Sequence, residues 1–225
     1  MIISDPSESS FVFIQECLKK DPAEFIEKMK MLGDFLYETN QNLNLTAIKE
    51  DGFWSRHVAD SLSVCRYFPE IFTSEMQLCD LGCGAGFPSL VLAAAFPEVR
   101  ITSIDSTRKK IDYVNAAAAK ISLNNLKGIH GRGNELGRKE PFRAAFNVIF
   151  ARAVASADIL VKEAGGMLKA NGSLIIYRTP EQYEQEIPFL KKWKKGPYRA
   201  TECFELPDSA GTRLFLQIKQ MREIH

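Results

Sequence analysis

Apolar positions recur along this chain with two different periods, and the change between them divides it. Over residues 9–68 the spacing is helical. Phe11, Ile14 and Leu18 fall on one face of a first helix, and Phe25, Met29, Leu32 and Leu36 on one face of a second, with Pro22 at its first turn. A third helix is predicted over 53–67, ending before Pro69. From Met76 onward short apolar runs alternate with helical stretches, the pattern of a doubly wound parallel sheet. Strands are predicted over 76–81, 99–104, 126–131, 146–151 and 172–177, and helices over 87–96, 107–121, 155–168 and 181–193. Asn171-Gly172 reads as a turn before the fifth strand. The tail breaks the alternation. Residues 198–206 and 213–218 flank a Pro207–Gly211 loop with no room for a helix, so they should pair as an antiparallel hairpin. The expected organisation is an N-terminal helical subdomain over 1–70 and an α/β domain over 71–225.

The junction between the first predicted strand and its helix carries the strongest chemical signal. Leu78-Cys79-Asp80-Leu81 runs into Gly82-Cys83-Gly84-Ala85-Gly86-Phe87-Pro88. Glycines at alternate positions allow a tight turn and a close approach of backbone to ligand, and the following helix offers unpaired N–H groups. The second strand ends in Asp105, where a carboxylate can accept both hydroxyls of a ribose. Strand, glycine loop, helix, strand and acid together describe a nucleoside-binding half-fold. Dinucleotide loops read G-x-G-x-x-G; this one reads G-x-G-x-G with Asp80 in front. An acid there suits a cationic ligand and would repel a pyrophosphate.

Composition narrows the field. The chain has 225 residues, 45 % hydrophobic and 25 % charged, as expected for a globular enzyme with a sizeable core. No apolar run approaches the roughly 20 residues of a membrane span, and no signal-peptide pattern opens the sequence, so a cytoplasmic protein is expected. Five scattered cysteines without a C-x-x-C pair fit reduced thiols. His57, His130 and His225 share no metal-ligand spacing, and no metal site is expected. A net charge of +1 argues against non-specific coating of nucleic acid. Basic residues still cluster at Arg108-Lys109-Lys110, at 191–195, and at Arg132, Arg138, Lys139 and Arg143. These permit an RNA partner without requiring one.

The pattern D-x-G-x-G-x-G resembles motif I of the class I S-adenosylmethionine-dependent methyltransferases. In order along the chain come Asn42-Leu43-Asn44-Leu45-Thr46-Ala47-Ile48, Arg56 to Leu62, Asp80 to Pro88, Ile104-Asp105-Ser106 with Arg108-Lys109, and Ala151-Arg152-Ala153-Val154-Ala155. This combination resembles the RsmG (GidB) family, which methylates N7 of one guanine in bacterial small-subunit ribosomal RNA. The resemblance implies a class I fold, a Rossmann-like and mostly parallel sheet closed by a C-terminal hairpin. It also implies S-adenosylmethionine as cofactor, small-subunit RNA or an assembling subunit as partner, and a monomer. The implied cofactor residues are Asp80, Gly82, Gly84, Gly86, Phe87, Asp105, Ser106, Gly133, Asn134 and Arg152. Arg152 would face cofactor and substrate as the catalytic residue. Arg56, His57, Arg108, Lys109, Lys110 and Arg178 would engage RNA. Two positions depart from the family. Gly133-Asn134 stands where an acid usually follows the third strand, and an amide oxygen could still accept from the adenine amino group. Arg178-Thr179 replaces Lys-Gly after the fifth strand, keeping charge and losing glycine's freedom.

What the sequence lacks is consistent with that chemistry. Asn147-Val148-Ile149-Phe150-Ala151-Arg152 contains no Asn/Asp-Pro-Pro-aromatic motif of amine methylation, and no cysteine nucleophile for cytosine C5 lies in it. Guanine N7 attacks through an in-plane lone pair and needs no general base; alignment suffices. Three other readings stay open at this point. They are methylation of another RNA or small molecule, a non-catalytic nucleoside-binding or ribosome-assembly factor, and an NAD-dependent oxidoreductase.

Overall fold

A computed structural model describes residues 3–219; His225 lies outside them. Two helices open the chain, α1 (Glu8–Leu18) and α2 (Ala23–Leu43). Phe25, Met29, Leu32 and Leu36 are all buried, so the apolar stripe of α2 faces inward as its spacing predicts. In α1 the stripe is rotated. Phe13, Ile14, Cys17 and Leu18 are buried while Phe11 is exposed, because α1 packs on the 53–67 segment, where the Arg66 guanidinium lies over the Phe13 ring at 4.6 Å. Ser7 caps α1, and the hydroxyls of Ser7, Ser9 and Ser10 all donate to Asp208 near the other end of the chain.

The third predicted helix is interrupted. Phe53–Ala59 is π-helical and leads into the short α3 (Asp60–Leu62) and α4 (Val64–Tyr67). π-Segments within helices re-aim side chains at functional positions; this one carries Arg56 and His57 and hands the chain to Asp60.

The α/β part follows with β1 (Gln77–Leu81), α5 (Ser89–Ala95), β2 (Arg100–Asp105), α6 (Arg108–Lys120), β3 (Leu126–His130), α7 (Gly133–Leu136), β4 (Phe146–Arg152), α8 (Ala157–Gly165), β5 (Leu168–Arg178) and α9 (Pro180–Leu190). The chain closes with β6 (Tyr198–Ala200), β7 (Phe204–Glu205) and β8 (Thr212–Lys219). The sheet order is β3-β2-β1-β4-β5-β8-β6, with β7 also on β8. The first five strands are parallel; β8 runs antiparallel between β5 and β6. The expected hairpin is present, with its first arm broken into β6 and β7. The order turns back on itself between β1 and β4, and the crevice over their carboxyl ends is where such sheets bind ligands.

Two expectations are corrected here. The helix predicted over 155–168 ends at Gly165, and β5 begins at Leu168 rather than 172. Asn171, at φ 61°, and Gly172 lie inside that strand, where the pairing with β4 shifts register between Phe146 and Val148. They form a bulge within the strand and not a turn before it.

One apolar core packs α1, α2 and the 53–67 segment with α5 and α6 against one face of the sheet; a second packs α8 and α9 against the other. Phe35 of α2 stacks on Tyr113 of α6 at 5.4 Å, so the N-terminal helices share the core of the α/β part. At the end of β5, Arg178 is buried and forms an ion pair with Glu186 of α9 at 2.9 Å. Glu186 also accepts the N–H of Ala157 at the start of α8. Thr179, at φ −83°, caps α9 in a reciprocal capping box with Gln182. No left-handed backbone is needed there, so the absence of glycine at 179 costs nothing. Removing one partner of a buried ion pair leaves the other uncompensated. Glu186→Ala should therefore lower unfolding free energy by about 3–5 kcal/mol, measured by chemical denaturation; a loss below about 1 kcal/mol, the range of exposed pairs, would contradict this account.

Candidate active site

Above the carboxyl ends of β1, β2 and β4 lies a cavity of about 650 Å³. Its floor is the loop from Gly82 to Phe87. The N–H groups of Gly82 and Cys83 donate to the Ile104 carbonyl at 2.7 and 3.0 Å, clipping the loop to β2. Gly82, Gly84 and Gly86 all have positive φ, at 72°, 56° and 83°. At Gly84 a Cβ would project into open space, so the backbone is bare toward the cavity. Gly86 has another role. A Cβ there would sit 2.4 Å from Leu90 Cδ1, so Gly86 makes the turn into α5 and does not line the cavity.

Asp105 lines the cavity from the tip of β2. One carboxylate oxygen accepts the Gly84 N–H at 3.0 Å and the other the Thr107 N–H at 2.8 Å. A carboxylate has about four acceptor sites, so two are left for hydroxyls. Ser106 and Lys110 also line the cavity, while Arg108 and Lys109 stand exposed on the first turn of α6. Asp80 is displaced from its expected place. It is fully buried beneath the loop, where Oδ2 accepts the Ser89 N–H at 3.1 Å and Oδ1 has no partner among the described residues. Ser103 donates to the Ser89 hydroxyl at 2.7 Å, completing a polar knot under α5. Burial, partly offset by Ser89, pushes the Asp80 carboxyl up to about 6.

The opposite wall comes from the N-terminal segment. His57 is buried, stacks on Phe87 at 4.2 Å, and lies 3.0 Å from Thr46 Oγ1. Burial and the neighbouring Arg152 hold its pKa well below the usual value, so the ring is neutral. Arg152 Nη2 lies 3.4 Å from His57 Nδ1. Since a guanidinium only donates, Nδ1 is the acceptor and Nε2 carries the proton toward Thr46. This corrects the expectation for His57: it shapes the cavity wall and does not meet RNA at the surface.

Arg152 ends β4. Its Nη1 donates to Asp60 Oδ2 at 3.0 Å and to the Arg56 carbonyl at 3.1 Å. The buried Asp60 also accepts from Arg213 Nε at 3.2 Å, so one carboxylate aligns two arginines. Beyond Arg152 a second hollow opens, lined among others by Arg56, Arg152, Tyr177, Thr179 and Arg213. Arg152 and Ala153 border both spaces. Arg178 reaches this hollow but its guanidinium is spent on Glu186 and the Ala155 carbonyl, which corrects its expected RNA contact. At the far end Gly131, Arg132 and Gly133 line the cavity; Asn134 does not. Its backbone N–H donates to Glu163 of α8 at 3.2 Å. Cys83 also lines the cavity, and burial raises its thiol well above the usual range, so it is no thiolate nucleophile. Among the described residues no cluster could hold a metal ion.

The family model of rRNA small subunit methyltransferase G (GidB) matches residues 25–195. The chain belongs to this family. It is 31% identical over 201 residues to the ribosomal RNA small subunit methyltransferase G of Bacillus cytotoxicus, covering 88% of this chain and 83% of that one. To the protein of the same name from Geobacillus kaustophilus it is 34% identical over 197 residues, covering 84% and 80%. Among solved structures, an S-adenosylmethionine-dependent O-methyltransferase from Thermotoga maritima superposes with a TM-score of 0.58 at 14% identity, covering 84% of this chain and 72% of that one. The YcgJ protein from Bacillus subtilis gives 0.54 at 16% identity, covering 72% and 99%. These likenesses show the fold, which is the expected class I methyltransferase fold.

Asp60, Arg213, Thr46 and Glu163 were not singled out in the sequence. Asp60 and Thr46 lie within the segments that carry the family resemblance, so that signal was available. Arg213 opens the second arm of the predicted hairpin, which resembles the family's closing hairpin, and only long-range packing shows its contact with Asp60; Glu163 becomes visible only through packing.

Asp105→Ala should remove a charge-assisted acceptor and free the loop at Gly84, weakening cofactor binding by about 2–3 kcal/mol. Calorimetry showing unchanged affinity would remove Asp105 from the site. Asp80 gives a pH test. Its folded pKa lies above the unfolded value, so the folded chain holds an extra proton between about pH 4 and 6. Stability from this group therefore falls as pH rises across that window, by about 3 kcal/mol in total. The stability of Asp80→Asn relative to the unsubstituted chain should rise over the same window, in denaturation midpoints taken at several pH values; a constant difference would contradict the buried-acid account.

Proposed function

We propose that this chain transfers the methyl group of S-adenosylmethionine to N7 of a specific guanine in small-subunit ribosomal RNA. The observation that carries this reading is the junction at Arg152. A nucleoside-sized cavity with a ribose acceptor meets, at the carboxyl end of β4, a hollow edged by Arg56, Arg152 and Arg213. The residues present fit the cofactor: bare backbone at Gly84, free acceptor sites on Asp105, and apolar walls from Leu81, Ile104 and Leu160. Bound there, S-adenosylmethionine supplies an electrophilic sulfonium methyl.

The chain's own residues do the positioning. The glycine loop and Asp105 hold the donor, and Phe87, braced by His57, closes its side. Asp60 draws the Arg152 charge toward itself, which limits repulsion of a sulfonium cation. It leaves one net positive charge across Arg152, Asp60 and Arg213 to favour a phosphate or guanine O6. N7 must keep its lone pair free, so an O6 or phosphate contact serves and a bidentate O6/N7 contact does not. No base is required, and among the residues lining the cavity His57 is neutral and already committed to Thr46 and Arg152. Arg56, Arg108 and Lys109 are exposed and, with the half-buried Lys110 of the cavity lining, suit a small number of phosphate contacts. Residues 1–70 form the helical subdomain that brings Arg56, His57 and Asp60 to the site, and the protein works in the cytoplasm as a monomer on RNA or an assembling subunit.

The direct test incubates the protein and methyl-labelled S-adenosylmethionine with ribosomal particles from a strain lacking it, then maps N7-methylguanine by borohydride–aniline cleavage. One strong cleavage in small-subunit RNA is expected; label elsewhere, or none, would overturn the reading. Arg152→Ala should lower kcat/KM by on the order of 100-fold, with a much smaller change in cofactor affinity. Lost cofactor binding with normal turnover at saturating cofactor would make Arg152 a cofactor residue instead.

A further inference from the structure

Near the end of β3, where Gly131 to Gly133 line the cavity, a slot is walled by the apolar side chains of Leu81 and Ile104 from the sheet and Leu160 from α8. Its polar edge is the Glu163 carboxylate, which lines the cavity and is held in a pair with Asn134, whose backbone N–H it accepts at 3.2 Å. The pair is built in by close packing of α7 against α8. A Cβ on Gly133 would stand 2.6 Å from the Glu163 carbonyl oxygen, and one on Gly137 would stand 2.7–2.9 Å from the backbone of Gly166 and Met167. The two helices thus meet backbone to backbone, and only glycine lets Glu163 come this close to the turn after β3.

We infer that Glu163, rather than the side chain of Asn134, reads the exocyclic amino group of the cofactor's adenine. This rests on the placement of the nucleoside in the cavity proposed above and adds the residue that selects the base. Adenine presents one donor and one acceptor side by side, the 6-amino group and N1. The slot presents an acceptor, the Glu163 carboxylate, which lines the cavity. That acceptor is complementary to the 6-amino group. A 6-oxopurine would place its carbonyl against the carboxylate. That contact is repulsive, and a site built to hydrogen-bond one pattern rejects its inverse strongly. The Asn134 side chain is exposed and lies outside the cavity lining, so the expected contact from its amide oxygen is replaced by this one. The absence of an acid at position 134 is thereby made good from another helix.

The test measures dissociation constants for S-adenosylhomocysteine and its 6-oxo counterpart S-inosylhomocysteine by calorimetry. The unsubstituted chain should favour the adenosyl ligand by on the order of 100-fold. Glu163→Ala should weaken the adenosyl ligand about 10-fold or more, leave the inosyl ligand no weaker, and remove most of the preference. Asn134→Ala, which keeps its backbone N–H, should leave the preference in place. An unchanged preference in Glu163→Ala, or its loss in Asn134→Ala, would overturn the inference. Asp105→Ala separates the two levels. If it weakens both ligands equally while Glu163→Ala keeps the preference, the cavity stands and only the assignment of Glu163 falls; if neither substitution affects binding, both fall.

Discussion

The Asp105 carboxylate accepts the N–H groups of Gly84 and Thr107, one on each oxygen, and so ties the glycine loop leaving β1 to the turn leaving β2. With the two N–H groups that Gly82 and Cys83 donate to Ile104, this fixes a loop whose three glycines sit at positive φ. Such backbone has few bonds of its own and would otherwise be free to move. The same carboxylate that holds the loop has acceptor sites left over for a ligand. In the proposed function, loop geometry and ribose recognition are thereby coupled through one residue.

The N-terminal helices are joined to that centre through a second set of contacts. Their π-helical segment turns His57 onto Phe87 and brings Asp60 to Arg152 and Arg213. Arg152 belongs to β4 and Arg213 to β8, so the Asp60 carboxylate pins the helical segment to two strands that flank β5. The serine cluster of α1 on Asp208 adds a further tie to the loop before β8. The floor of the hollow beside the cavity is therefore assembled from three distant parts of the chain.

Elements with strong local signals were legible in the sequence. The parallel strands, α2, α6 and the placing of Asp105 follow from apolar period and a single acid at a strand end. Contacts decided by tertiary packing were not. Arg178 looked like a free cation because Glu186 lies in the next helix and only the fold brings them together. Asp80 looked like a ligand acid because sequence spacing does not say which side of the loop a side chain takes. Asn171-Gly172 carries ordinary turn chemistry, and a register shift against β4 placed it inside a strand. His57 sits on a π-helical segment, whose period departs from α, and is buried there, where an α-helical reading of the sequence left it at the surface.

The account's central claim is that cofactor and substrate spaces meet at Arg152. A crystal structure of the complex with S-adenosylhomocysteine tests it most directly. The ribose hydroxyls should lie within hydrogen-bond distance of Asp105, and the sulfur should face the hollow edged by Arg56, Arg152 and Arg213. A nucleoside bound away from Asp105, or a sulfur pointing to a wall with no opening toward that hollow, would contradict it.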